Sequence, residues 1–286
     1  MDKPVGVIIL NWNGAQLLRR YLPSVVSGNS NDIAEVVVVD NGSTDESRKV
    51  LETEFPDVKT LYFDKNYGFA EGYNRALNAL DYKYSILLNS DVAVPRDWVC
   101  PMYDYMEQHP EVAACQPKLL SDTDRSRFEY AGASGGFIDK LGYPFCRGRL
   151  FDTVEQDHGQ YDDVADIFWA TGAALFVRTA VYRRVGGLDP FFFAHMEEID
   201  LCWRIHRAGY AIRVVPQSVA YHLGGGSLPA SNPRKTYLNF RNNLFLLYKN
   251  LPRRQGRKVL LVRRLYDTLA FLMLWRNSIS ATLVPL

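Results

Sequence analysis

The chain has few cysteines and no paired ones. Only four of its 286 residues are cysteine, and none stands in a CxxC spacing. Zinc ribbons and dithiol redox sites need such pairs, so these classes are disfavoured. We therefore expect reduced thiols and a cytosolic setting.

Long apolar runs are also missing. The longest candidate, LAFLMLW at 269–275, is far shorter than the roughly 18 residues needed to span a bilayer. No charged segment with a cleavage site precedes Val5, so we expect no signal peptide. The remaining composition, 47% hydrophobic and 23% charged, is that of a globular protein with a full core.

Acidic residues are nearly absent from the last third of the chain. From Leu201 onward there are fourteen Lys and Arg but one acid, Asp267, although the whole chain has a formal net charge of +1. Such a segment favours a polyanionic partner or an anionic membrane surface. Basic residues alternating with apolar clusters predict basic amphipathic helices over 231–286, lying at a membrane. A helical cap on the sheet, or an oligomer contact, is the alternative.

Short apolar runs that end in polar residues are what the sequence does contain. They predict strands at 5–10, 36–40, 58–63 and 84–91, with helices at 15–26, 44–54 and 69–80. Ser43 and Glu46 fit a capping box at the start of the second helix. This alternation predicts an α/β protein with a mostly parallel central sheet flanked by helices. Later, 168–177 predicts a strand and 197–208 a helix.

The stretch at 84–94, whose strand ends at Asp91, carries the first candidate site. Its apolar run stops in Asn89, Ser90 and Asp91. Ligands of parallel sheets bind beyond the carboxyl ends of the strands, so Asp91 would face a ligand. A carboxylate there suits Mg²⁺ or Mn²⁺ that also holds phosphates. Because Asn, Ser and Asp also form turns, a plain turn is the alternative.

The loop after the first strand excludes two classes. It reads NWNGAQ, with one glycine and no basic residue. A Rossmann dehydrogenase needs G-x-G-x-x-G at this position. A nucleotidyltransferase would need a glycine-rich, basic loop to hold a triphosphate. We therefore set both aside.

Taken in chain order, seven segments resemble the motifs of family 2 glycosyltransferases, which are inverting enzymes with the GT-A fold, and especially their rhamnosyltransferase-like branch. They are VIILNWNG at 7–14, VVVDNGSTD at 37–45, NYGFAEGYN at 66–74, LLNSDV at 87–92, TGA at 171–173, EEIDLCWR at 197–204 and AYHLGGGS at 220–227. The resemblance covers about 4–250. It implies a catalytic domain at 1–230, divided into a nucleotide-binding half (about 1–117) and an acceptor-binding half (about 118–230). A helical appendage at 231–286 follows.

The resemblance also implies nucleotide-binding residues. They would be Asn11, Asn13, Asp40, Asn66, Gly68, Asn74, Asn89 and Ser90. Asp40 has independent support, because it ends a strand where a carboxylate can accept from a base N–H; a helix or turn cap is the alternative. Gly68 could equally serve only a turn.

The metal ligands implied by the resemblance are Asp91 and His222. LLNSDV occupies the place of the family's DXD motif, with Asn89 replacing its first aspartate. Asp91 alone would then bind Mn²⁺ or Mg²⁺ from this segment, with His222 as the second ligand. A lone histidine at a strand end is more often structural. The glycines after His222 would let backbone N–H groups approach the diphosphate.

Three acids crowd the start of the helix predicted at 197–208. Helix-start acids complement the helix dipole, which is the structural alternative to catalysis. Asp200 lies four residues before Arg204 and can pair with it. In the family's E-D-x-D pattern the second acid is the base; it aligns with Glu198, and Glu197 is the reserve. The acceptor-binding residues implied by the resemblance are Trp169, Thr171 and Gly172.

The resemblance thus implies a metal-dependent inverting glycosyltransferase. It would move a sugar, from dTDP-rhamnose in this branch, to a glycan or lipid-linked acceptor of cell-surface polysaccharide synthesis. We expect a peripheral location on the inner face of the plasma membrane and no nucleic-acid partner; an oligomer stays open. The alternatives are a nucleotide-sugar hydrolase, a homologue that only binds nucleotide, and a membrane-surface adaptor.

Overall fold

The computed structural model describes residues 3–29, 33–150, 153–224 and 233–282. The helices in this part of the chain are α1 (Ala15–Gly28), α2 (Ser47–Glu54), α3 (Phe69–Ala79), α4 (Val99–Gln108), α5 (Thr179–Arg184), α6 (Glu197–Arg207), α7 (Pro233–Asn250) and α8 (Arg253–Thr282). The strands are β1 (Val5–Asn11), β2 (Ala34–Asp40), β3 (Lys59–Tyr62), β4 (Tyr84–Leu88), β5 (Val92–Ala93), β6 (Val112–Ser121), β7 (Gly136–Ile138), β8 (Pro144–Cys146), β9 (Arg149–Leu150), β10 (Thr153–Val154), β11 (Ala165–Asp166), β12 (Ala174–Arg178) and β13 (Ala211–His222).

One large sheet organises the protein. Its strand order is β11-β13-β6-β12-β4-β1-β2-β3, with β5 added on β13. Strands β4, β1, β2 and β3 are parallel neighbours, and β13 runs parallel to β6. Strand β12 is inserted antiparallel between β4 and β6. The predicted α/β fold with a central, mostly parallel sheet flanked by helices is confirmed.

The central strands are buried on both faces. In β1, Ile8 packs into the core beneath α3 and α6, whereas Val7 packs into the core beneath α1, α2 and α4. Leu87 and Ile86 of β4 alternate in the same way, because successive side chains of a strand point to opposite faces. Continuous apolar runs are therefore what these positions require.

Four short antiparallel strands form a second sheet, in the order β10-β9-β8-β7. It confirms the short antiparallel strands expected from the glycine- and aromatic-rich segment between 128 and 151. The strand predicted at 168–177 begins only at Ala174; before it, Trp169 forms an isolated bridge with Gly136, and its indole Nε1 donates to the carbonyl of Phe137 at 2.9 Å.

The predicted capping box is wrong. Helix α2 begins at Ser47, and the side chain of Asp45 accepts from the Ser47 backbone N–H at 2.9 Å. The hydroxyl of Ser43 instead accepts from the backbone N–H of Asn13 at 2.9 Å. Ser43 is therefore used to join the loops after β1 and β2 rather than to start the helix.

The C-terminal helices pack on the domain along part of their surface. Leu246 and Leu247 of α7 are buried, as is Arg263 of α8. Outward-facing apolar side chains nevertheless line α8, including Leu261, Leu265 and Phe271, which are 69%, 63% and 61% exposed. Within the described residues, no helix is both long and apolar enough to cross a membrane.

Candidate active site

The first site cluster forms where β1 and β2 end side by side. Their register pairs Asn11 with Asp40, and Asn11 Nδ2 donates to Asp40 Oδ1 at 3.2 Å. Asp40 is buried, and its Oδ2 also accepts from the Ser43 backbone N–H at 3.3 Å. The parallel sheet therefore brings together Asn11 and Asp40, as the sequence predicted, and holds the carboxylate at the carboxyl ends of its strands.

Asn13 supports this cluster from a strained position. Its φ of 51° lies in the left-handed region, which asparagine tolerates better than most residues. Its Oδ1 accepts from the Thr44 and Asp45 backbone N–H groups at 2.7 and 3.3 Å. This leaves Trp12 exposed at the end of β1. An exposed indole beside the strand ends was not singled out from the sequence.

Asn41 is a second residue that the sequence reasoning missed. Its Nδ2 donates to Asn66 Oδ1 at 3.0 Å and to the Gly68 carbonyl at 3.1 Å, and its Oδ1 accepts from the Tyr67 N–H. Asn66 Oδ1 also accepts from the Gly68 N–H at 2.7 Å. Asn41 thus ties the loop after β3 to the end of β2, next to Asp40. Its place directly after a strand-end aspartate was the available signal.

The structure does not join Asn74 to this cluster. Its Oδ1 accepts from the Tyr182 hydroxyl at 2.7 Å and the Leu188 N–H at 3.0 Å, and its Nδ2 donates to the Leu188 carbonyl. These contacts tie α3 to the segment that precedes α6. Its predicted nucleotide contact therefore has no geometric support here.

The second cluster contains the predicted metal ligands. Strand β13 pairs with β5, which sets His222 opposite Val92 and beside Asp91. His222 Nε2 lies 3.1 Å from Asp91 Oδ1, and both side chains are buried. The Leu223 N–H also donates to the Asp91 carbonyl at 3.1 Å. The turn reading of Asp91 is thus partly right, since the turn aims its carboxylate at His222.

Glu129 completes this cluster and was missed in the sequence. Its Oε1 lies 3.3 Å from His222 Nδ1, on the side of the ring away from Asp91. Burial opposes protonation of His222, but hydrogen bonding and charge from Asp91 and Glu129 outweigh it and raise its pKa to about 10. Nothing local marked Glu129, which follows β6 in an irregular loop.

This cluster fits a divalent cation. It favours a positive charge, and a carboxylate oxygen beside an imidazole nitrogen is a donor pair that suits Mn²⁺. Within the described residues, no group of three or more His, Cys, Asp and Glu side chains is arranged to hold a metal ion. We therefore expect substrate phosphates and water to supply the other ligands. Gly225, Gly226 and Ser227, predicted to approach the diphosphate, lie outside the described residues.

A short backbone contact links the metal side of the site to the acceptor side. Ala174 pairs with Leu88, and the Asn89 N–H donates to the Ala173 carbonyl at 3.0 Å. Ser90 follows in the turn that leads to Asp91. The TGA segment is therefore held against the LLNSDV segment by sheet hydrogen bonds.

The predicted acceptor residues take different positions around that link. Gly172 faces Glu198: a Cβ built on it would lie 3.7 Å from the Glu198 Cβ. Thr171 is buried, with its N–H donating to Gln116 Oε1 at 2.9 Å. Trp169 is only 4% exposed. Gly172 therefore lies at the surface of the site, whereas Thr171 and Trp169 support it from below.

Glu197 and Glu198, the first two residues of α6, both have raised pKa values. Burial raises the pKa of Glu198 to about 7. Burial, and then the charge of Glu198, raises the pKa of Glu197 well above its usual range. The Oε2 atoms of both are buried and make no hydrogen bond to the described residues. An available carboxyl oxygen with a pKa near neutrality is suited to accept a proton.

Asp200 has the structural role that the sequence predicted for it. It is fully buried, and Arg204 Nε donates to its Oδ2 at 2.8 Å. Lys249 Nζ and Asn250 Nδ2 of α7 also donate to it, each at 2.8 Å. With its oxygens occupied in this way, Asp200 anchors the helix and leaves the two glutamates for chemistry.

Two family models match this chain. The model of the family described as "Glycosyl transferase family 2" matches residues 6–161, and that of "Glycosyl transferase family group 2" matches 85–284. The first match alone covers more than half of the chain.

Curated relatives include bacterial and archaeal enzymes. The N-acetylglucosaminyl-diphospho-decaprenol L-rhamnosyltransferase of Mycobacterium tuberculosis is 26% identical over 238 residues, which cover 78% of this chain and 76% of the relative. The low-salt glycan biosynthesis hexosyltransferase Agl10 of Haloferax volcanii is 25% identical, covering 83% of this chain and 73% of its own. Rhamnosyltransferase WbbL of Escherichia coli is 27% identical over 54% of this chain and 61% of its own length.

Solved structures share the fold. GalNAc-T7 with UDP, GalNAc and Mn²⁺ matches with a TM-score of 0.65 at 16% identity; the match covers 86% of this chain but 48% of that one. The Staphylococcus aureus TarS 1–349 complex with UDP-GlcNAc matches at 0.59 and 16% identity, covering 90% and 70%. These neighbours are GT-A glycosyltransferases, so the predicted GT-A fold is confirmed.

The raised pKa of Glu198 predicts a pH-dependent cost to stability. A carboxyl with a higher pKa in the folded protein than in the unfolded chain destabilises the fold as pH rises from about 4.5 through 7. Glu198→Gln should therefore raise the Tm at pH 8 and change it little at pH 4.5, in thermal unfolding followed by circular dichroism. The exposed Glu46→Gln should change Tm little at both pH values. A Glu198→Gln effect equal at the two pH values would contradict the raised pKa.

Proposed function

Because the chain belongs to glycosyl transferase family 2, we propose that it transfers a sugar from a nucleoside-diphosphate sugar to a hydroxyl group of a glycan or lipid-linked acceptor, with inversion at the anomeric carbon. One arrangement carries the proposal. The Asn89–Ala173 backbone contact joins the segment that leads to Asp91, which pairs with His222, to the segment whose Gly172 faces Glu198. A leaving-group site and a base site would therefore be carried by two segments that are hydrogen-bonded to each other.

The donor proposal is dTDP-rhamnose. The support is the names of two relatives, a decaprenol-linked L-rhamnosyltransferase and the rhamnosyltransferase WbbL. The first name also supports an acceptor in which a sugar is linked through a diphosphate to a polyprenol, as in cell-surface polysaccharide synthesis. We propose that acceptor class for this chain.

The nucleotide would bind over the ends of β1 and β2. Asp40 can accept from a base N–H, and Asn11 holds its carboxylate in place. Trp12 offers an exposed aromatic surface beside them, on which a base can stack. The loop that Asn41 holds through Asn66 and Gly68 would line the ribose. Asn89, Ser90 and Asp91 would then follow along the diphosphate.

Asp91 and His222 would hold the metal, Mn²⁺ or Mg²⁺. A bound divalent cation neutralises charge on the departing diphosphate. Glu129 contacts His222 Nδ1 and so leaves Nε2 to face Asp91. An outer carboxylate on the second ring nitrogen is a usual way to orient a metal-binding imidazole.

Glu198 would act as the general base. Its carboxylate takes the proton from the acceptor hydroxyl while the oxygen forms a bond to the anomeric carbon and the bond to the diphosphate breaks. One base and one displacement give inversion. A pKa near 7 gives Glu198 both a large ionised fraction and useful basicity at neutral pH. Gly172 keeps the space beside it clear.

Two other activities would use the same nucleotide site. A hydrolase would pass the sugar to water, and a binding homologue would transfer nothing. Titration with UDP, dTDP and GDP, with and without Mn²⁺, followed by an acceptor assay, separates them from transfer. An adaptor without a nucleotide site would bind none of the three.

A membrane location is proposed from α8. Its exposed apolar side chains are accompanied by exposed basic ones, among them Arg257, Lys258 and Arg264. Basic amphipathic helices lie at the level of anionic headgroups, with about 1 kcal/mol for each basic residue near the surface. We propose that α8 docks on the anionic inner face of the plasma membrane and brings the site to a lipid-linked acceptor.

Flotation with liposomes tests this docking. The protein should float with anionic liposomes and much less with neutral ones. Leu265→Glu should reduce flotation severalfold, because it puts a carboxylate in the apolar face. The control Leu150→Glu changes an equally exposed leucine, 65% against 63%, on the small sheet. Equal failure to float with both liposome types would refute the proposal.

The metal proposal predicts the behaviour of Asp91→Asn. Without the carboxylate, Mn²⁺ should no longer tighten nucleoside diphosphate binding, whereas metal-free binding should change little. Calorimetric titration of dTDP with and without Mn²⁺ measures this. A folded Asp91→Asn protein with unchanged metal-dependent affinity would show that Asp91 is not a ligand.

The base proposal predicts the behaviour of Glu198→Gln. Transfer should slow by about 10²-fold or more, the usual contribution of general base catalysis, while dTDP and Mn²⁺ affinity stay unchanged. The wild-type kcat should rise with pH through about 7. A near-normal rate here, together with an inactive Glu197→Gln, would move the role to Glu197. Full activity in both variants would remove the base from α6.

A further inference from the structure

The backbone immediately before α6 has an unusual conformation. Phe193 has φ 67° and ψ −57°, and the Ala194 N–H donates to the Phe192 carbonyl at 2.8 Å. This is the rare, strained form of the γ-turn. His195 and Met196 follow with φ of 69° and 76°. Three non-glycine residues at positive φ within four positions need support from elsewhere in the fold.

Asn242 of α7 supplies that support. Its Nδ2 lies 2.9, 2.7 and 2.8 Å from the carbonyl oxygens of Phe192, Ala194 and His195. The side chain is fully buried. The two N–H hydrogens of one amide are therefore shared among three of the four carbonyls of the segment 192–195, which its left-handed turns direct toward α7.

Arg241 fixes the orientation of this amide. Its Nε and Nη2 donate to Asn242 Oδ1 at 2.9 and 2.8 Å, and Nη2 also donates to the Phe192 carbonyl at 3.0 Å. A guanidinium needs an acceptor and the carbonyls need donors, so the oxygen and nitrogen of the amide have one consistent assignment. Arg241 thus holds the oxygen of the Asn242 amide, and the nitrogen of the same amide holds the strained segment.

Helix α7 also holds α6 beyond the glutamates. Asp200, in the first turn of α6, accepts hydrogen bonds from Lys249 and Asn250 of α7. Glu197 and Glu198 therefore lie between two attachments to α7, one before the helix start and one after it. Of the two, only the Asn242 attachment acts on the backbone that sets where the helix begins.

We propose that Asn242 is a positioning residue for sugar transfer, which holds the left-handed segment 193–196 and thereby sets the direction in which Glu198 leaves the start of α6. This rests on the proposed role of Glu198 as the base. Proton transfer needs the carboxyl within hydrogen-bond reach of the acceptor hydroxyl, and a displacement of about 1 Å can cost on the order of 100-fold in rate. Asn242 acts through the backbone and does not touch the substrate.

The chain offers a closely matched control in Asn243. It is also buried on α7, and its Nδ2 donates to the Gly142 carbonyl at 2.6 Å. That carbonyl belongs to the turn between β7 and β8, away from segment 192–196. Asn243→Ala therefore removes a buried amide from the same helix without releasing the strained segment.

Asn242→Asp is the second informative variant. It keeps the size of the side chain but replaces the donor with an acceptor that faces three carbonyl oxygens. Loss of packing could not explain its effects. Asn242→Ala, Asn242→Asp and Asn243→Ala should be compared with wild type at a temperature well below the lowest Tm.

Hydrogen–deuterium exchange is the first readout and needs no substrate. Amides in 192–200 should exchange at least tenfold faster in both Asn242 variants than in wild type or Asn243→Ala. The second readout is transfer from dTDP-rhamnose to a synthetic lipid-diphosphate N-acetylglucosamine. There, kcat should fall at least tenfold in the Asn242 variants, with the donor KM unchanged. The pH at which kcat rises should also move below 7, because a released Glu198 gains solvent.

Unchanged exchange across 192–200 in a folded Asn242→Asp protein would overturn the proposal. So would a loss of kcat in Asn243→Ala equal to that in Asn242→Ala, since the effect would then belong to α7 packing in general. Faster exchange in the Asn242 variants without loss of transfer would also overturn it. If Glu198→Gln keeps full activity, the base assignment fails instead, and the exchange data still report separately whether Asn242 holds the segment.

Discussion

The hydrogen bonding between β4 and β12 is the constraint on which the site depends. Strand β12 runs antiparallel to β4, so the start of one meets the end of the other, and the Asn89 N–H reaches the Ala173 carbonyl. The segment that leads to Asp91 and the segment that faces Glu198 are thereby fixed by backbone contacts. Without this insertion, the regions proposed to hold the leaving group and the base would not be joined by these backbone hydrogen bonds.

The surroundings of His222 favour its charged form, whereas those of Glu198 favour its neutral form. His222 lies between Asp91 and Glu129, which together favour positive charge and raise its pKa. Glu198 lies in a region where burial disfavours its ionised form. A cluster that favours positive charge and a weakly acidic carboxyl suit the proposed roles of neutralising a departing diphosphate and accepting a proton.

Local pattern was enough to predict the sheet and part of the site. Strands β1, β2 and β4 contain continuous apolar runs, and the parallel pairing of β1 with β2 places Asn11 beside Asp40. Glu129 and Asn242 could not be found in this way. Each acts on a partner many residues away, His222 and the 192–195 backbone, and no periodicity or spacing records such contacts. Ser43 misled because its hydroxyl joins a distant loop instead of capping the helix.

The stereochemical outcome of transfer tests the central claim most directly. One carboxylate acting as base in a single displacement requires the anomeric configuration of the product to be opposite to that of the donor. Nuclear magnetic resonance of the product formed from dTDP-rhamnose, through the one-bond carbon–hydrogen coupling at the anomeric centre, measures it. The account predicts inversion. A product with retained configuration would contradict it, because retention needs a second displacement that Glu198 as a base does not provide.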